Sequence, residues 1–394
     1  MQQREGRVGR VGPGTVYHLF SEMHRKAQPG YPQPRLLQMD ITQELLAMLM
    51  HGDVANLITS CEELITPPTV AQVTCALALM HFYRMIDAYA PGAADKKLHF
   101  NDIHWHQVDR FGSLADLKSA INGRLTPLGS LVFGVVAGAR LSPWAALMYV
   151  MGAINGVDES AFALACVVDM QAPDPSVLLP VSSRSDSKRN AGTSSHRSVD
   201  PALQVVGAYG ASDHAALLNI YKLAASATTN GVDLYRATGM SSAFWDRVVN
   251  KVTDGRSADT RALTMRIARG DALLADESLS VWRDAFARID VAQEGYSAVH
   301  HDILKVVLLS RLYHFTKPDV AHKGAYSFVF DVQDSRKMNH DQGSASPGRL
   351  KFQSPVAPGT LMPSGVVEAL VDAGQGQLTS HLSTAFVWRA DIAI

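Results

Sequence analysis

The chain opens with MQQREGRVGRVGPG (residues 1–14), in which arginines recur at every third position between glycines. Arg4, Arg7 and Arg10 do not suit the start of a helix, because the positive end of the helix dipole favours acidic residues there. Each glycine would weaken a helix by a further ~1 kcal/mol. The stretch therefore needs a reason other than local folding.

Composition limits the classes of protein to which the chain can belong. Its 394 residues are enough for two to four domains, 47% are hydrophobic, and the formal net charge is −1. Any contact with nucleic acid must therefore come from local basic patches. The three cysteines are scattered, which excludes a zinc finger or a disulfide scaffold and indicates a reducing, intracellular compartment. No apolar run reaches about 18 residues, so we expect no transmembrane helix and no membrane partner.

Two stretches near the start of the chain have helical patterns. Residues 40–50 predict a helix that Asp40 caps, with Gln43 three positions later as its capping-box partner. Residues 69–88 predict a second helix, because apolar side chains share one face of it, namely Val73, Leu77 and Met80. A polar stretch at 91–123 follows this helix.

A pair of helices comes next. Ser142 is a natural cap for the first helix, and Pro143 is a natural first helical residue. Gly156 ends this helix, and Asp158 is expected to cap the second one. The composition then changes, because residues 182–200 are Ser-rich, basic and without apolar periodicity. They predict a mobile linker.

The last part of the chain passes from helical to strand patterns. Residues 212–227 predict a capped helix, and residues 244–292 hold further amphipathic helical pieces. Five short β-rich runs then follow, separated by Gly, Pro and Asn, which predicts a small barrel such as an OB-fold. The runs are ILKVVLLSRLYHF (303–315), AYSFVFDV (325–332), RLKFQ (349–353), GVVEALVD (365–372) and LSTAFVWRADI (382–392).

The opening stretch resembles a known motif. QREGRVGR (3–10) is similar to motif VI of superfamily 2 helicases, and the GPG at 12–14 is typical of their DEAH/RHA group. Downstream, PP (67–68) before an apolar helix resembles the winged helix of that family. LTPLG (125–129) before a helix pair resembles its ratchet bundle, and SDHAALLNIY (212–221) is similar to its G-D-H-x-x-L-L-N-x-Y run. The order of these parts matches the family over nearly the whole chain.

The resemblance implies a mainly α protein with β structure, namely the C-terminal portion of an ATP-dependent RNA helicase. The implied domains are the end of the second RecA-like lobe with motif VI (1–35), a winged helix (36–124), a ratchet-like helical bundle (125–300) and an OB-fold-like β-barrel (301–394). The family's phosphate loop and D-E-x-H do not occur in the 394 residues. We therefore expect the ATPase lobes to lie upstream, in a longer parent protein.

The chemistry of ATP hydrolysis explains the arginines of motif VI. Phosphoryl transfer spreads negative charge over the γ-phosphate oxygens, and an inserted guanidinium stabilises that charge. By resemblance, Arg7 and Arg10 contact the γ-phosphate, and Gln3 helps to place the attacking water. Arg4 and Gly6 complete the implied nucleotide-binding set. ATP and Mg²⁺ are the implied cofactors of the full-length parent. We expect this chain alone to hold neither a cofactor nor a metal and to be inactive by itself.

RNA is the partner that the resemblance implies, either single-stranded or structured, together with the upstream ATPase lobes and a protein activator. OB-folds bind single strands with basic loops and aromatic side chains. Lys337, Arg349 and Lys351 flank the loop 339–348 of the predicted barrel and are the candidate RNA contacts. Two other functions stay open at this point, a non-catalytic RNA-binding or scaffold protein that retains a helicase tail, and a viral helicase fragment.

Two histidine pairs and one Asp–His pair invite a catalytic or metal-binding interpretation. His104 and His106 have no third metal ligand nearby in the sequence, so we interpret them as loop histidines. His300–His301 is interpreted as a solvated helix end. Asp213 and His214 resemble a catalytic pair, but a structural role at the start of a helix is the preferred interpretation.

Overall fold

A computed structural model gives the fold of the chain. The described residues are 34–37, 39–99, 111–171, 213–226, 242–255, 275–289 and 297–311, five short strands between 315 and 387, and single positions such as 12, 13 and 103. The predicted linker at 182–200 and the predicted strand at 365–372 lie outside the described residues.

The first part of the described chain packs helices against a small antiparallel sheet. The helices are α1 (Thr42–Leu49), α2 (Val54–Glu62), α3 (Val70–Phe82) and α4 (Leu114–Ala120). The strands are β1 (Ile86–Ala90), β2 (Ala93–Leu98) and β3 (Asn122–Leu125), in the order β2-β1-β3. Ile86 and Ala88 of β1 are buried and α3 packs against this strand, so the inner face of the sheet is part of the core.

A helical bundle follows directly after β3. Its helices are α5 (Pro127–Ala139), α6 (Pro143–Ile154), α7 (Asp158–Gln171), α8 (Asp213–Ala225), α9 (Ser242–Gly255), α10 (Glu277–Arg288) and α11 (Ala298–Ser310). Every residue of α6 except Trp144 is buried, because α5, α7, α10 and α11 all pack against it. The helix α6 is therefore the centre of the bundle.

A second antiparallel sheet is built from five short strands. They are β4 (Phe315–Pro318), β5 (Ala325–Phe328), β6 (Leu350–Lys351), β7 (Thr360–Pro363) and β8 (Phe386–Val387), in the order β6-β5-β4-β7-β8. With the first sheet and the bundle, these strands confirm the prediction of a mainly α protein with β structure. The domain boundaries stay predictions.

Two predicted helices near the start of the chain have different limits. The helix α1 begins at Thr42 rather than Asp40, so Gln43 is not a capping-box partner. Asp40 instead accepts hydrogen bonds from the amide of Thr42 at 2.9 Å and from Nε1 of Trp144 at 2.8 Å, which ties the first helix to the bundle. The helix predicted over 69–88 ends at Phe82, where β1 soon follows.

The helix pair in the bundle begins and ends close to the predicted residues. Ser142 occupies the N-cap of α6 and Pro143 its first turn, and Gly156, with φ +78°, follows its last turn. Asp158, predicted as a cap, is instead the first residue of α7. The helix α5 was not predicted from the sequence. Its Gly129 lies so close to the carbonyl oxygen of Met85 that a Cβ atom would not fit there.

The clearest error of sequence-based prediction is the run 303–315, which was expected to be a strand. Residues 303–310 of this run belong to α11 (Ala298–Ser310), and all residues from 306 to 310 are buried. The first half of α11 is partly exposed, but residues 306–310 are buried all round and have no polar face. This stretch therefore lacks the periodicity that separates a helix from a buried strand. The runs at 325–332, 349–353 and 382–392 do contain strands, as predicted.

None of the described helices is by itself long and apolar enough to cross a membrane. The helices α5 and α6 reach that length and composition only as a pair, across a bend of 114°.

Candidate nucleic-acid interface

The site residues predicted from the sequence fall almost wholly outside the described part of the chain. The structure therefore does not place them relative to one another, and their roles stay predictions. Outside the described residues lie Gln3, Arg4, Gly6, Arg7, Arg10, His104, His106, Lys337 and Arg349. Lys351 belongs to β6, where its backbone pairs with Ala325, and its side chain lies outside the description.

A different set of charged and aromatic residues is brought together on the first sheet. The backbone register places Asp87 of β1 opposite Arg124 of β3, and Tyr89 opposite Lys97 of β2. Alternate residues of a strand point to opposite faces. Because Ile86 and Ala88 face the core, Asp87 and Tyr89 face outward. We call the surface formed by Asp87, Tyr89, Lys97 and Arg124 the outer sheet face.

An ion-pair network connects the outer sheet face to α10. Lys97 Nζ lies 2.8 Å from Asp87 Oδ1 and 3.2 Å from Glu277 Oε2. The other oxygen of the same carboxylate, Glu277 Oε1, lies 3.1 Å from Arg84 Nη1. The side chains of Arg84 and Lys97 are 32% and 37% exposed, and that of Glu277 is 66% exposed. The carboxylate of Glu277 thus bridges two partly exposed cations.

The charges of this network are reinforced by their neighbours. Burial works against the charged form of Lys97, but hydrogen bonds and attraction from Asp87 and Glu277 outweigh it and raise the lysine pKa. The hydrogen bond and the charge of Lys97, with a smaller effect of Arg84, lower the pKa of Glu277. Both groups are therefore ionised around neutral pH.

Arg84 owes its position to an unusual turn between α3 and β1. Its φ of +57° lies in the left-handed region, which residues other than glycine rarely adopt. Two hydrogen bonds from Thr126 hold the turn. Its Oγ1 donates to the carbonyl oxygen of Arg84 at 2.6 Å, and its amide donates to the carbonyl oxygen of Met85 at 3.0 Å. The guanidinium therefore starts from a fixed backbone position.

Glu277 is held in place by the rest of α10, whose buried residues fasten the helix to α3 and α5. Trp282 is fully buried, and its Nε1 donates to the carbonyl oxygen of Tyr83 at 3.1 Å. The amide of Leu128 donates to Ser278 Oγ at 3.3 Å. These contacts fix the first turn of α10 beside the sheet, whether or not the ion pairs of Glu277 are formed.

His81 lies beneath the same network, at the end of α3. Burial lowers its pKa to about 4, although Asp87 raises it and Arg84 and Lys97 lower it further. The imidazole also makes a hydrogen bond to the backbone of Leu98. It is therefore a neutral structural group at neutral pH.

The other histidines considered in the sequence also have structural contacts. His214 is buried, and burial together with the charge of Arg311 lowers its pKa to about 3, which fits the structural interpretation. His300 was interpreted as part of a solvated helix end, and the structure places it at a helix end, half-buried. It lies in the first turn of α11, where Nδ1 accepts from the amide of Ser297 and Nε2 lies 2.8 Å from Asn219 Oδ1. Within the described ranges, no three His, Cys, Asp or Glu side chains could hold a metal ion together.

Comparison with known proteins finds RNA helicases. No family model matches the chain. A stretch of 88 residues is 32% identical to the protein L540 of Acanthamoeba polyphaga mimivirus, which is named as an ATP-dependent RNA helicase. Stretches of 79 residues are 29% and 27% identical to the DExH-box ATP-dependent RNA helicases DExH2 and DExH6 of Arabidopsis thaliana.

Each match covers only a small part of this chain and only a small part of the relative. They cover 20–22% of this chain, and 13%, 5% and 6% of the length of the three relatives. The chain therefore contains a region related to DExH-box ATP-dependent RNA helicases.

Proposed function

We propose that the chain is the C-terminal part of a DEAH/RHA-type RNA helicase, and that it forms one side of a channel for single-stranded RNA. The observation that carries this proposal is the local similarity to three RNA helicases, at 27–32% identity. The order of the described elements supports it. Helices and a small antiparallel sheet come first, an apolar helical bundle follows, and a five-stranded antiparallel sheet comes last. We assign these parts to the winged helix, the ratchet bundle and the OB-fold.

The outer sheet face adds support for contact with a single strand. Proteins that bind single strands without sequence preference combine cations for the phosphates with aromatic rings on which bases stack. Arg124 is exposed, Lys97 is partly exposed, and Tyr89 lies opposite Lys97. Sequence analysis did not single out these residues. The alternation of buried and outward residues in IDAYA (86–90) was the signal that could have found them.

We expect the full chain to bind single-stranded RNA weakly and with a steep dependence on salt. The formal net charge of −1 gives no long-range attraction, so binding must come from a few local phosphate contacts. Replacing Lys337, Arg349 and Lys351 with Glu should weaken binding about tenfold or more. If three contacts are lost, the slope of log affinity against log salt should become shallower by about 2. Fluorescence anisotropy with labelled oligo-U at several salt concentrations measures both quantities.

A charge-conserving variant is the matched control for this experiment. Lys337→Arg, Arg349→Lys and Lys351→Arg together keep all three cations and should retain most of the affinity. No RNA binding by the wild-type chain at low salt would refute the proposed function. Equal affinity of the wild type and the Glu variant would instead place the RNA contacts outside the predicted barrel.

For the ATP chemistry, we propose that Arg7 and Arg10 stabilise the γ-phosphate charge and that Gln3 orients water, in a parent protein that also supplies the phosphate loop. We expect no measurable ATP hydrolysis by the 394-residue chain, with or without RNA. Steady-state phosphate release by the pure protein measures this. RNA-stimulated hydrolysis that disappears in Arg10→Ala would contradict the expectation, because the chain would then hold a complete ATPase site.

A further inference from the structure

We propose that Arg84 and Lys97 form a binding site for a phosphodiester group of single-stranded RNA, and that Glu277 occupies this site when RNA is absent. The inference rests on the proposed function, since it adds an RNA site to the same chain. It also assigns a role to Glu277, whose carboxylate competes with the RNA phosphate for the same two cations.

The geometry of Glu277 is the first argument. Its two carboxylate oxygens contact different cations, Arg84 Nη1 at 3.1 Å and Lys97 Nζ at 3.2 Å. A phosphodiester also carries one negative charge shared by two oxygens, and it makes the same type of charge-assisted hydrogen bond. Two cations that one carboxylate can bridge are therefore spaced to accept one phosphodiester.

The ease of displacement is the second argument. Ion pairs between exposed groups contribute about 0–1 kcal/mol, and the side chain of Glu277 is 66% exposed. The helix α10 does not depend on these ion pairs, because Trp282 and Ser278 fasten it to Tyr83 and Leu128. The carboxylate of Glu277 can thus turn into solvent while the helix keeps its place.

When Glu277 leaves, the ammonium of Lys97 stays in position and the backbone from which the Arg84 guanidinium extends stays fixed. Lys97 keeps its contact with Asp87 at 2.8 Å, and the backbone of Arg84 is held by Thr126. Tyr89 lies opposite Lys97 in the neighbouring strand, and its hydroxyl donates to Asp87 at 3.4 Å. A phosphate bound between the cations would place the adjoining nucleotide beside this ring, where its base can stack.

The decisive variant is Glu277→Gln, which removes the competing charge and keeps the shape of the side chain. We expect its affinity for labelled oligo-U at low salt to exceed that of the wild type by about fivefold, the factor that corresponds to one exposed ion pair. The slope of log affinity against log salt should change little, because the same phosphate group is bound by Arg84 and Lys97 in both proteins. The midpoint of thermal unfolding should fall by no more than about a few degrees, because the same exposed ion pairs contribute little to folding.

Two controls separate this site from a general effect of charge. Glu159→Gln removes another exposed carboxylate from the first turn of a helix, α7, and should leave the affinity unchanged. In the background Arg84→Gln/Lys97→Gln, the further change Glu277→Gln should no longer raise the affinity. An equal gain with Glu159→Gln, or a gain that persists without the two cations, would overturn the proposal.

The remaining outcomes are also decisive. If the wild type binds RNA and Glu277→Gln does not change the affinity, the inference fails and the proposed function stands. If neither protein binds RNA, both fail. Inorganic phosphate at constant ionic strength should not displace RNA from Glu277→Gln at millimolar concentration. Displacement would identify a site for free phosphate and overturn the assignment to RNA.

Discussion

Trp282→Ala should cost the chain about 4 kcal/mol of folding free energy and should release α10 from the first sheet. The ring is fully buried, and its centroid lies 5.9 Å from that of Tyr83. Truncation of a buried aromatic to alanine typically costs about 3–5 kcal/mol through lost transfer energy and the cavity left behind. The change also removes the 3.1 Å hydrogen bond from Nε1 to the carbonyl oxygen of Tyr83. A buried carbonyl that loses its donor adds about 1–3 kcal/mol, so the total effect should lie above the lower end of the range of about 3–5 kcal/mol.

Trp282→Phe is the matched control, because it keeps an aromatic ring and removes the donor. It should cost about 1–2 kcal/mol. Urea unfolding followed by tryptophan fluorescence gives the free energies, and hydrogen exchange shows where protection is lost. We expect faster exchange at residues 277–288 and at Tyr83, since α10 and the end of α3 share this contact. A loss of less than 1 kcal/mol in Trp282→Ala would mean that other contacts hold the helix.

Most helices of the bundle could be predicted because their ends carry local signals. Ser142 and Pro143 mark the start of α6, and the positive φ of Gly156 marks its end. The helix α8 (Asp213–Ala225) lies within the capped helix predicted at 212–227. The helix α11 could not be recognised, because a fully buried run of apolar residues carries no period. Packing against α6, α7, α8 and α10 decides its conformation.

The candidate interface could be predicted only in part, because it joins distant positions. Arg84 and Glu277 are separated by 193 residues, so no local pattern connects them. The left-handed turn at Arg84 could not be foreseen either, since glycine is the residue usually expected there. By contrast, the stretch that resembles motif VI (3–10) is a local pattern, which the sequence alone displays. Its residues lie outside the described part of the chain, so their roles remain predictions.

Mild acid should destabilise the fold through two buried histidines, in addition to the usual effect of protonated carboxylates. The pKa of His81 is lowered to about 4 and that of His214 to about 3, mainly because burial disfavours the charged imidazole. The unfolded chain takes up protons near the ordinary histidine pKa of about 6.5. Between that pH and the folded values, the unfolded state binds more protons than the folded state. Stability therefore rises with pH in this range and falls on acidification.

The linkage relation gives the size of this effect. Each buried histidine lowers the free energy of unfolding as the pH falls below about 6.5, by about 1.4 kcal/mol per pH unit. The loss for one histidine is therefore about 2 kcal/mol at pH 5. Unfolding free energies at pH 7.5 and pH 5.0 should therefore differ by about 4 kcal/mol from the two histidines together.

His214→Phe removes one titrating group and should reduce the difference by about 2 kcal/mol, even if it lowers stability at both pH values. The same pH dependence in His214→Phe and in the wild type would show that His214 is not the acid-sensitive group, because only the difference between the two pH values reports its titration.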